Sequence, residues 1–294
     1  MAVSIASALA EQAQQLAAVS DSGRLDAELL LADVLDKRRE YLLSHGEQEL
    51  DQTTIAQFSQ ALARRKQGEP IAYILGRKGF WDFELTVTPA VLIPRPETEL
   101  LVEAALELTA ATANQVLNIA DLGTGSGALA IALARANPQW QVAAVDSSAE
   151  ALSVARANAR RLGAEHIEFF QGSWCEPLIK REYTIIVANP PYVAGDDSHL
   201  MRDGLTFEPH QALVADREGL ADLEAIIRQA PHYLKRDSWL LLEHGFQQGA
   251  AVAELLRAAG YRDIHCRQDY AGQDRMTQAC WPGTGESENS RSQP

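Results

Sequence analysis

The chain has 294 residues, enough for one large domain and a smaller one, each with its own core. Its 46% hydrophobic and 22% charged residues are those of a globular protein, and no stretch has the length and apolarity of a membrane-crossing helix. A formal net charge of −14 argues against a partner that wraps duplex nucleic acid, which calls for a basic face to meet the phosphates.

Residues 1–75 read as helices. Ala, Leu, Glu, Gln and Arg dominate, and Leu25, Leu29, Ala32 and Leu35 recur at helical spacing, which predicts a helical bundle. Polar breaks at Ser20–Gly23 and Ser44–Gly46 mark helix ends, and Arg64-Arg65-Lys66 is expected to be a solvated helix end. From 76 to 97 the texture changes. Phe80–Val87 alternates and is rich in aromatic and β-branched residues, predicting strand, and Pro89, Pro94 and Pro96 punctuate the stretch after it. This segment reads as a hairpin linker, with helix resuming at Glu97.

From 98 to 282 strands and helices alternate. Strands are predicted at Val116–Leu122, Val142–Asp146, Ile167–Phe170, Thr184–Ala188 and Trp239–Glu243. Helices are predicted at Ala128–Ala136, Ala149–Leu162, Leu220–Leu234 and Gln248–Ala259. That order implies a doubly wound α/β fold around a largely parallel sheet. Ile264–Cys266 and Met276–Trp281 lack a helix between them and predict an antiparallel hairpin at the sheet edge. The Ser/Gly/Glu/Pro-rich tail, 283–294, reads as disordered.

Cys175, Cys266 and Cys280 show no Cys-x-x-Cys spacing, so neither a disulfide framework nor a zinc site is expected and a reducing cytosol fits. The N-terminal residues lack the basic and apolar regions of a signal peptide. A soluble cytoplasmic protein is expected.

The chemistry-bearing residues cluster at strand ends. Asp121-Leu122-Gly123-Thr124-Gly125-Ser126-Gly127 follows the first sheet strand and opens a helix, so its glycines let backbone approach a ligand at a helix N-terminus. Ala128 also completes the permissive G-x-G-x-x-A dinucleotide pattern, which keeps NAD in play. Asp146 ends the second strand, 23 residues after Gly123, where a carboxylate can accept from both ribose hydroxyls, although it could instead cap the next helix.

Asn189-Pro190-Pro191-Tyr192 sits at the carboxyl end of Thr184–Ala188, the topological switch point of such a sheet. Two prolines fix the backbone and remove two donors. The Asn189 side-chain oxygen and the Pro190 carbonyl can then accept both hydrogens of an –NH2 group, while Tyr192 offers a ring face to a planar substrate. This favours methyl transfer to a planar amide or amino nitrogen over hydride transfer, which leaves the tetrapeptide unexplained. Trp174, just past the third strand, is placed to wall or stack on an adenine. Cys175 reads as a packing residue, and His244, with no second histidine at ligand spacing, as a buried hydrogen-bonded residue rather than a metal ligand.

These residues resemble the HemK/PrmC family, the peptide-chain release factor glutamine methyltransferases. The likeness takes in Asp26–Leu31, Ile93-Pro94-Arg95-Pro96-Glu97-Thr98-Glu99, Asp121–Gly127, Asn189–Tyr192, Phe207-Glu208-Pro209 and Leu241-Leu242-Glu243-His244-Gly245, and runs to about residue 281. The resemblance implies a Rossmann-like, seven-stranded class I methyltransferase domain joined by the β-hairpin linker to an N-terminal helical domain, with the helical domain and the linker helping to hold the substrate. It implies S-adenosyl-L-methionine as cofactor, contacted by Gly123, Thr124, Gly125, Ser126, Gly127, Asp146, Trp174 and Asn189. It implies a class I release factor as partner, with the glutamine of its Gly-Gly-Gln loop held by Asn189, Pro190, Pro191 and Tyr192 and methylated at N5; no metal, membrane or direct nucleic-acid contact is expected. The family often carries an acidic residue immediately before the Trp174 position; here it is Ser173, which can still accept a hydrogen bond. Ribosomal-protein glutamine methylation and nucleic-acid amino methylation are the nearest rival activities, and a non-catalytic adenosylmethionine-binding subunit the rival of another class.

Overall fold

The computed structural model describes residues 3–112, 115–179, 182–195, 197 and 204–283. Residues 284–294, most of the tail expected to be disordered, lie outside the described residues. The chain divides into two units: Met1–Arg77 with Ser198–Phe207, and Lys78–Asp197 with Glu208–Pro294.

The first unit is helical: α1 (Ile5–Leu16), α2 (Gly23–Val34), α3 (Arg39–Ser44), α4 (Gln52–Lys66) and α5 (Ile71–Leu75). Helix α1 opens on a reciprocal cap in which Ser7 N donates to Ser4 Oγ at 3.3 Å and Ser4 N to Ser7 Oγ at 2.9 Å. Asp51 caps α4 by accepting from Thr54 N at 2.7 Å. The apolar stripes meet in a core that includes Ile5, Leu9, Leu16, Leu30, Leu31, Leu42, Phe58 and Leu62. The basic run closing α4 is not simply solvated. Arg65 pairs with the buried Asp26 of α2 at 2.7 Å, Arg64 with Glu69 at 2.5 Å, and Lys66 donates to Gln12 at 3.1 Å. Spacing shows the run but not that Asp26, 39 residues earlier, needs a cation to be buried.

The second unit begins with a hairpin, β1 (Arg77–Phe80) and β2 (Phe83–Thr86). The single strand expected over Phe80–Val87 is thus two, because the chain reverses at Trp81, whose φ is +55°. A 3₁₀ turn at Pro96–Thr98 leads into α6 (Glu99–Thr109). Then come β3 (Asn118–Leu122), α7 (Ala128–Ala136), β4 (Gln141–Asp146), α8 (Ala149–Arg161), β5 (Glu168–Gln171), β6 (Tyr183–Ala188), β7 (Val193–Ala194), β8 (Val214–Ala215), the short turn α9 (Asp216–Gly219) and α10 (Ala221–Gln229). The unit ends with β9 (Leu234–Glu243), α11 (Gly249–Ala258), β10 (Arg262–Gln268) and β11 (Asp274–Trp281).

Seven strands form one sheet in the order β10-β11-β9-β6-β3-β4-β5. Strands β9 to β5 in that order run parallel, while β11 is antiparallel to both β9 and β10. The predicted terminal hairpin therefore lies at one edge, with β10 outermost. Helices on the faces bury β3 and β6, whose Ile119, Leu122, Ile185 and Ile186 are fully enclosed. The helix expected over Leu220–Leu234 stops at Gln229, because Pro231 has no N–H for the next turn and Leu234 already belongs to β9. The short parallel pair β7–β8 was not foreseen from sequence; at two residues per strand it leaves no periodicity to read. Among the described residues no helix is long and apolar enough to cross a membrane.

Candidate active site

Strand β3 hands over to α7 through Gly123–Gly127, and the loop is folded back on the neighbouring strand. The amides of Gly123 and Thr124 both donate to the Val145 carbonyl at 2.9 Å. Gly125 N donates to Asp146 Oδ2 at 2.8 Å, and Ser148 N to Asp146 Oδ1 at 2.9 Å. The cap of α8 is Ser148, whose Oγ accepts from Ala151 N at 3.1 Å, so Asp146 is released from that duty. Each of its oxygens keeps a further lone pair for a ligand. Burial raises the Asp146 pKa, opposed by the backbone donors of Ser148 and Gly125.

Below the loop lies Asp121, fully buried, whose Oδ2 accepts from Thr124 Oγ1 at 2.6 Å and from Ala130 N at 3.1 Å. Burial pushes its pKa up to about 7. Asn158 of α8 closes the brace: its Nδ2 donates to the carbonyls of Ser126 at 3.0 Å and Thr86 at 2.9 Å, and its Oδ1 accepts from Thr86 N at 2.8 Å. Thr124, Ser126 and Gly127 shape this loop from behind and do not line the cleft in front of it.

That cleft, of 260 Å³, is lined by Gly123, Gly125, Asp146, Trp174, Asn189 and Pro191 among the residues expected, and by Ser173. Sequence reasoning missed Ala90–Leu92, Pro209, Gln211, Ala212 and Asp222, which complete the wall from other segments. The Trp174 ring lies against Gly123, where an added Cβ would come within 3.3 Å of it, and Trp174 opposes the rise that burial gives the Asp222 pKa. A glycine is needed at 123 on both counts, since its φ is +75°. Cys175 is buried and its thiol pushed up to about 12, as a packing residue is. Among the described residues the lining holds two carboxylates, Asp146 and Asp222, and no Lys, Arg or His. Such a wall suits a cationic ligand and, among the described residues, offers a dinucleotide pyrophosphate no counter-charge other than the helix N-terminus.

Asn189–Tyr192 leaves the end of β6 between β3 and β9. Asn189 and Pro191 line the cleft, Pro190 is buried behind them, and Tyr192 is half-buried outside the lining. Asn189 Nδ2 donates to Thr98 Oγ1 at 3.0 Å, and the Tyr192 hydroxyl donates to Glu243 Oε1 at 3.2 Å. Glu243 is fully enclosed at the end of β9, and burial pushes its pKa up to about 7, opposed by the Thr98 and Tyr192 hydroxyls. The Tyr192 backbone is clamped as well. Its carbonyl accepts from Gln248 Nε2 at 3.1 Å, and Gly219 is packed so tightly on it that an added Cβ would lie 2.1 Å away.

Glu208 ties two further segments together: Ile93 N donates to its Oε2 at 3.0 Å and Arg95 to its Oε1 at 2.5 Å. His244, next to Glu243, is fully buried between Thr277 Oγ1 at 2.9 Å and the Gly245 carbonyl at 3.0 Å, and burial lowers its pKa. Among the described residues no cluster of His, Cys, Asp and Glu is arranged to hold a metal.

Comparison with known proteins finds two family models that match parts of the chain. Residues 7–76 match the PrmC N-terminal domain and residues 97–216 the methyltransferase small domain. A release factor glutamine methyltransferase of Vibrio cholerae is 48% identical over 279 residues, 94% of this chain and 96% of its own length. That of Coxiella burnetii is 47% identical over 93% of this chain and 98% of its own. A methyltransferase structure from Pyrococcus furiosus, 16% identical, shares the fold at a TM-score of 0.52, covering 77% of this chain and 100% of that one. With relatives this similar over almost its whole length, the chain belongs to the release factor glutamine methyltransferase family.

Proposed function

We propose that the protein transfers the methyl group of S-adenosyl-L-methionine to N5 of the glutamine in the Gly-Gly-Gln loop of class I peptide chain release factors. The observation that carries the chemistry is the placing of Asn189 and Pro191 on the same cleft as the Gly123–Gly125 backbone and Asp146. Family membership supports the choice of a release factor as the protein substrate.

In this reading the Gly123–Gly127 loop, Asp146 and Trp174 hold the adenosine part, and the carboxylates of Asp146 and Asp222 give the cleft a negative potential that favours a cation. S-adenosyl-L-methionine supplies, when bound, an electrophilic methyl on a positively charged sulfur. The Asn189 side-chain oxygen and the Pro190 carbonyl accept the two hydrogens of the glutamine –NH2. They hold its nitrogen for attack and stabilise the positive charge that grows there. The proton leaves after methyl transfer, so the reaction calls for no strongly basic side chain on the lining. Tyr192, its hydroxyl tethered to Glu243, packs against the planar amide.

Incubation with labelled S-adenosyl-L-methionine tests the choice of substrate. Purified release factor is labelled, while ribosomal proteins and DNA at the same concentration are not. Labelling of either alternative in preference to the release factor contradicts the proposal.

A further inference from the structure

A side-chain amide presents an oxygen on one side and an –NH2 on the other. Asn189 serves as an acceptor toward a substrate –NH2 only if its oxygen, not its nitrogen, is turned to the cleft. A donor facing the substrate's donors would leave two unpaired N–H groups in a confined site, which costs more than the lost bond. Something must set that orientation, and the two adjoining prolines do not, because they constrain the backbone alone.

The buried groups behind Asn189 supply the constraint. Thr98, 5% exposed, accepts from Asn189 Nδ2 at 3.0 Å. With Nδ2 held there, the Asn189 oxygen is the atom left to face the cleft. Behind it, the buried Glu243 accepts from the Tyr192 hydroxyl at 3.2 Å through Oε1, its Oε2 has no hydrogen-bond partner within ordinary distance among the described residues, and the Thr98 hydroxyl is among the groups opposing the rise that burial gives its pKa. Once ionised, a carboxylate there can only accept, which favours a Thr98 hydroxyl that accepts from Asn189. The three side chains come from the turn before α6, the end of β6 and the end of β9, so packing of the sheet brings them together.

We propose that Thr98 is a positioning residue: by accepting from Nδ2 of Asn189 it turns the Asn189 oxygen to the cleft, where that oxygen receives a hydrogen of the substrate amide. This rests on the reading of Asn189 given above and adds what fixes its polarity.

The test compares Thr98→Val, Thr98→Ser and Asn189→Ala, each measured for kcat and KM on release factor and for S-adenosylhomocysteine affinity by calorimetry. Valine keeps the shape and a methyl group but loses the hydroxyl. Thr98→Val is expected to lose on the order of 10²-fold in kcat, with KM and cofactor affinity unchanged, as for a misplaced group in a transition state. Thr98→Ser, which restores the hydroxyl, regains most of that turnover. Unimpaired turnover in Thr98→Val, or equal impairment in Thr98→Ser, overturns the positioning role while leaving that of Asn189 intact. Full turnover in Asn189→Ala overturns the underlying reading itself, and the proposal with it.

Discussion

At the scale of single residues, the site divides into groups that touch the cleft and groups that hold them. Asn189 touches it, and its contribution is a hydrogen bond strengthened as charge develops in the transition state. Asn189→Ala is expected to lower kcat on the order of 10²- to 10³-fold while S-adenosylhomocysteine still binds measurably in calorimetry. Turnover equal to that of the parent would refute the assignment. Asn189 and Asp146 are legible in the sequence because each sits at a strand end beside its own local signature. Thr98, Glu243 and Asp222 are not legible in that way. Thr98 meets Asn189 across 91 residues and Glu243 meets Tyr192 across 51, and no local pattern encodes such pairs. The resemblance placed Ile93–Glu99 in a linker that helps to hold the substrate and gave Leu241–Gly245 no role; the contacts of Thr98 with Asn189 and of Glu243 with Tyr192 add what the sequence alone did not show.

At the scale of elements, the glycine loop and the α9 turn do opposite kinds of work. The loop turns between β3 and α7, and its glycines announce it in the sequence. The α9 turn is built from Arg217 and Glu218, both with left-handed φ near +56°, and closes on Gly219 at φ +82°. Nothing in Asp-Arg-Glu-Gly announces that the glycine rests on the Tyr192 carbonyl. Gly219→Ala forces a Cβ to within 2.1 Å of that oxygen, so the turn or Tyr192 must move. We expect a loss of about 1–3 kcal/mol in stability from the overpacking, together with a clear drop in kcat as the Asn189–Tyr192 backbone shifts. Chemical denaturation and steady-state assays check both halves; a variant with parental stability and kcat contradicts the clamp. The overlong helix predicted at Leu220–Leu234 has a related cause. The apolar periodicity continues into β9, and only Pro231 marks the end.

At the scale of the whole molecule, two fully buried carboxyls make folding stability depend on pH. Burial raises Glu243 from the usual 4.5 to about 7 and Asp121 from 3.8 to about 7. Below their ordinary values both are neutral whether the chain is folded or unfolded, and neither costs anything. As pH rises toward 7 the unfolded chain releases those protons while the folded one retains them, so stability falls across that window and levels off above it. Glu243→Gln is therefore expected to raise the thermal midpoint at pH 8, by an amount corresponding to up to about 3 kcal/mol, and to leave it unchanged at pH 4. An equal shift at both pH values would show that charge burial is not the cause.

The fold as a whole was more legible than its fine contacts. Strand–helix alternation in the second unit predicts the parallel sheet, because each buried strand and amphipathic helix carries its own period. The buried Asp26–Arg65 pair in the helical unit, by contrast, becomes visible only once α2 and α4 are packed.

The central claim, methyl transfer to N5 of one glutamine, is tested most directly by mapping the product. Release factor treated with the enzyme and S-adenosyl-L-methionine, then digested and sequenced by tandem mass spectrometry, should carry one added methyl on the glutamine side chain of the Gly-Gly-Gln loop. A Gln→Ala release factor should carry none. A methyl found on any other residue, or on the Gln→Ala protein to the same extent, would contradict the account.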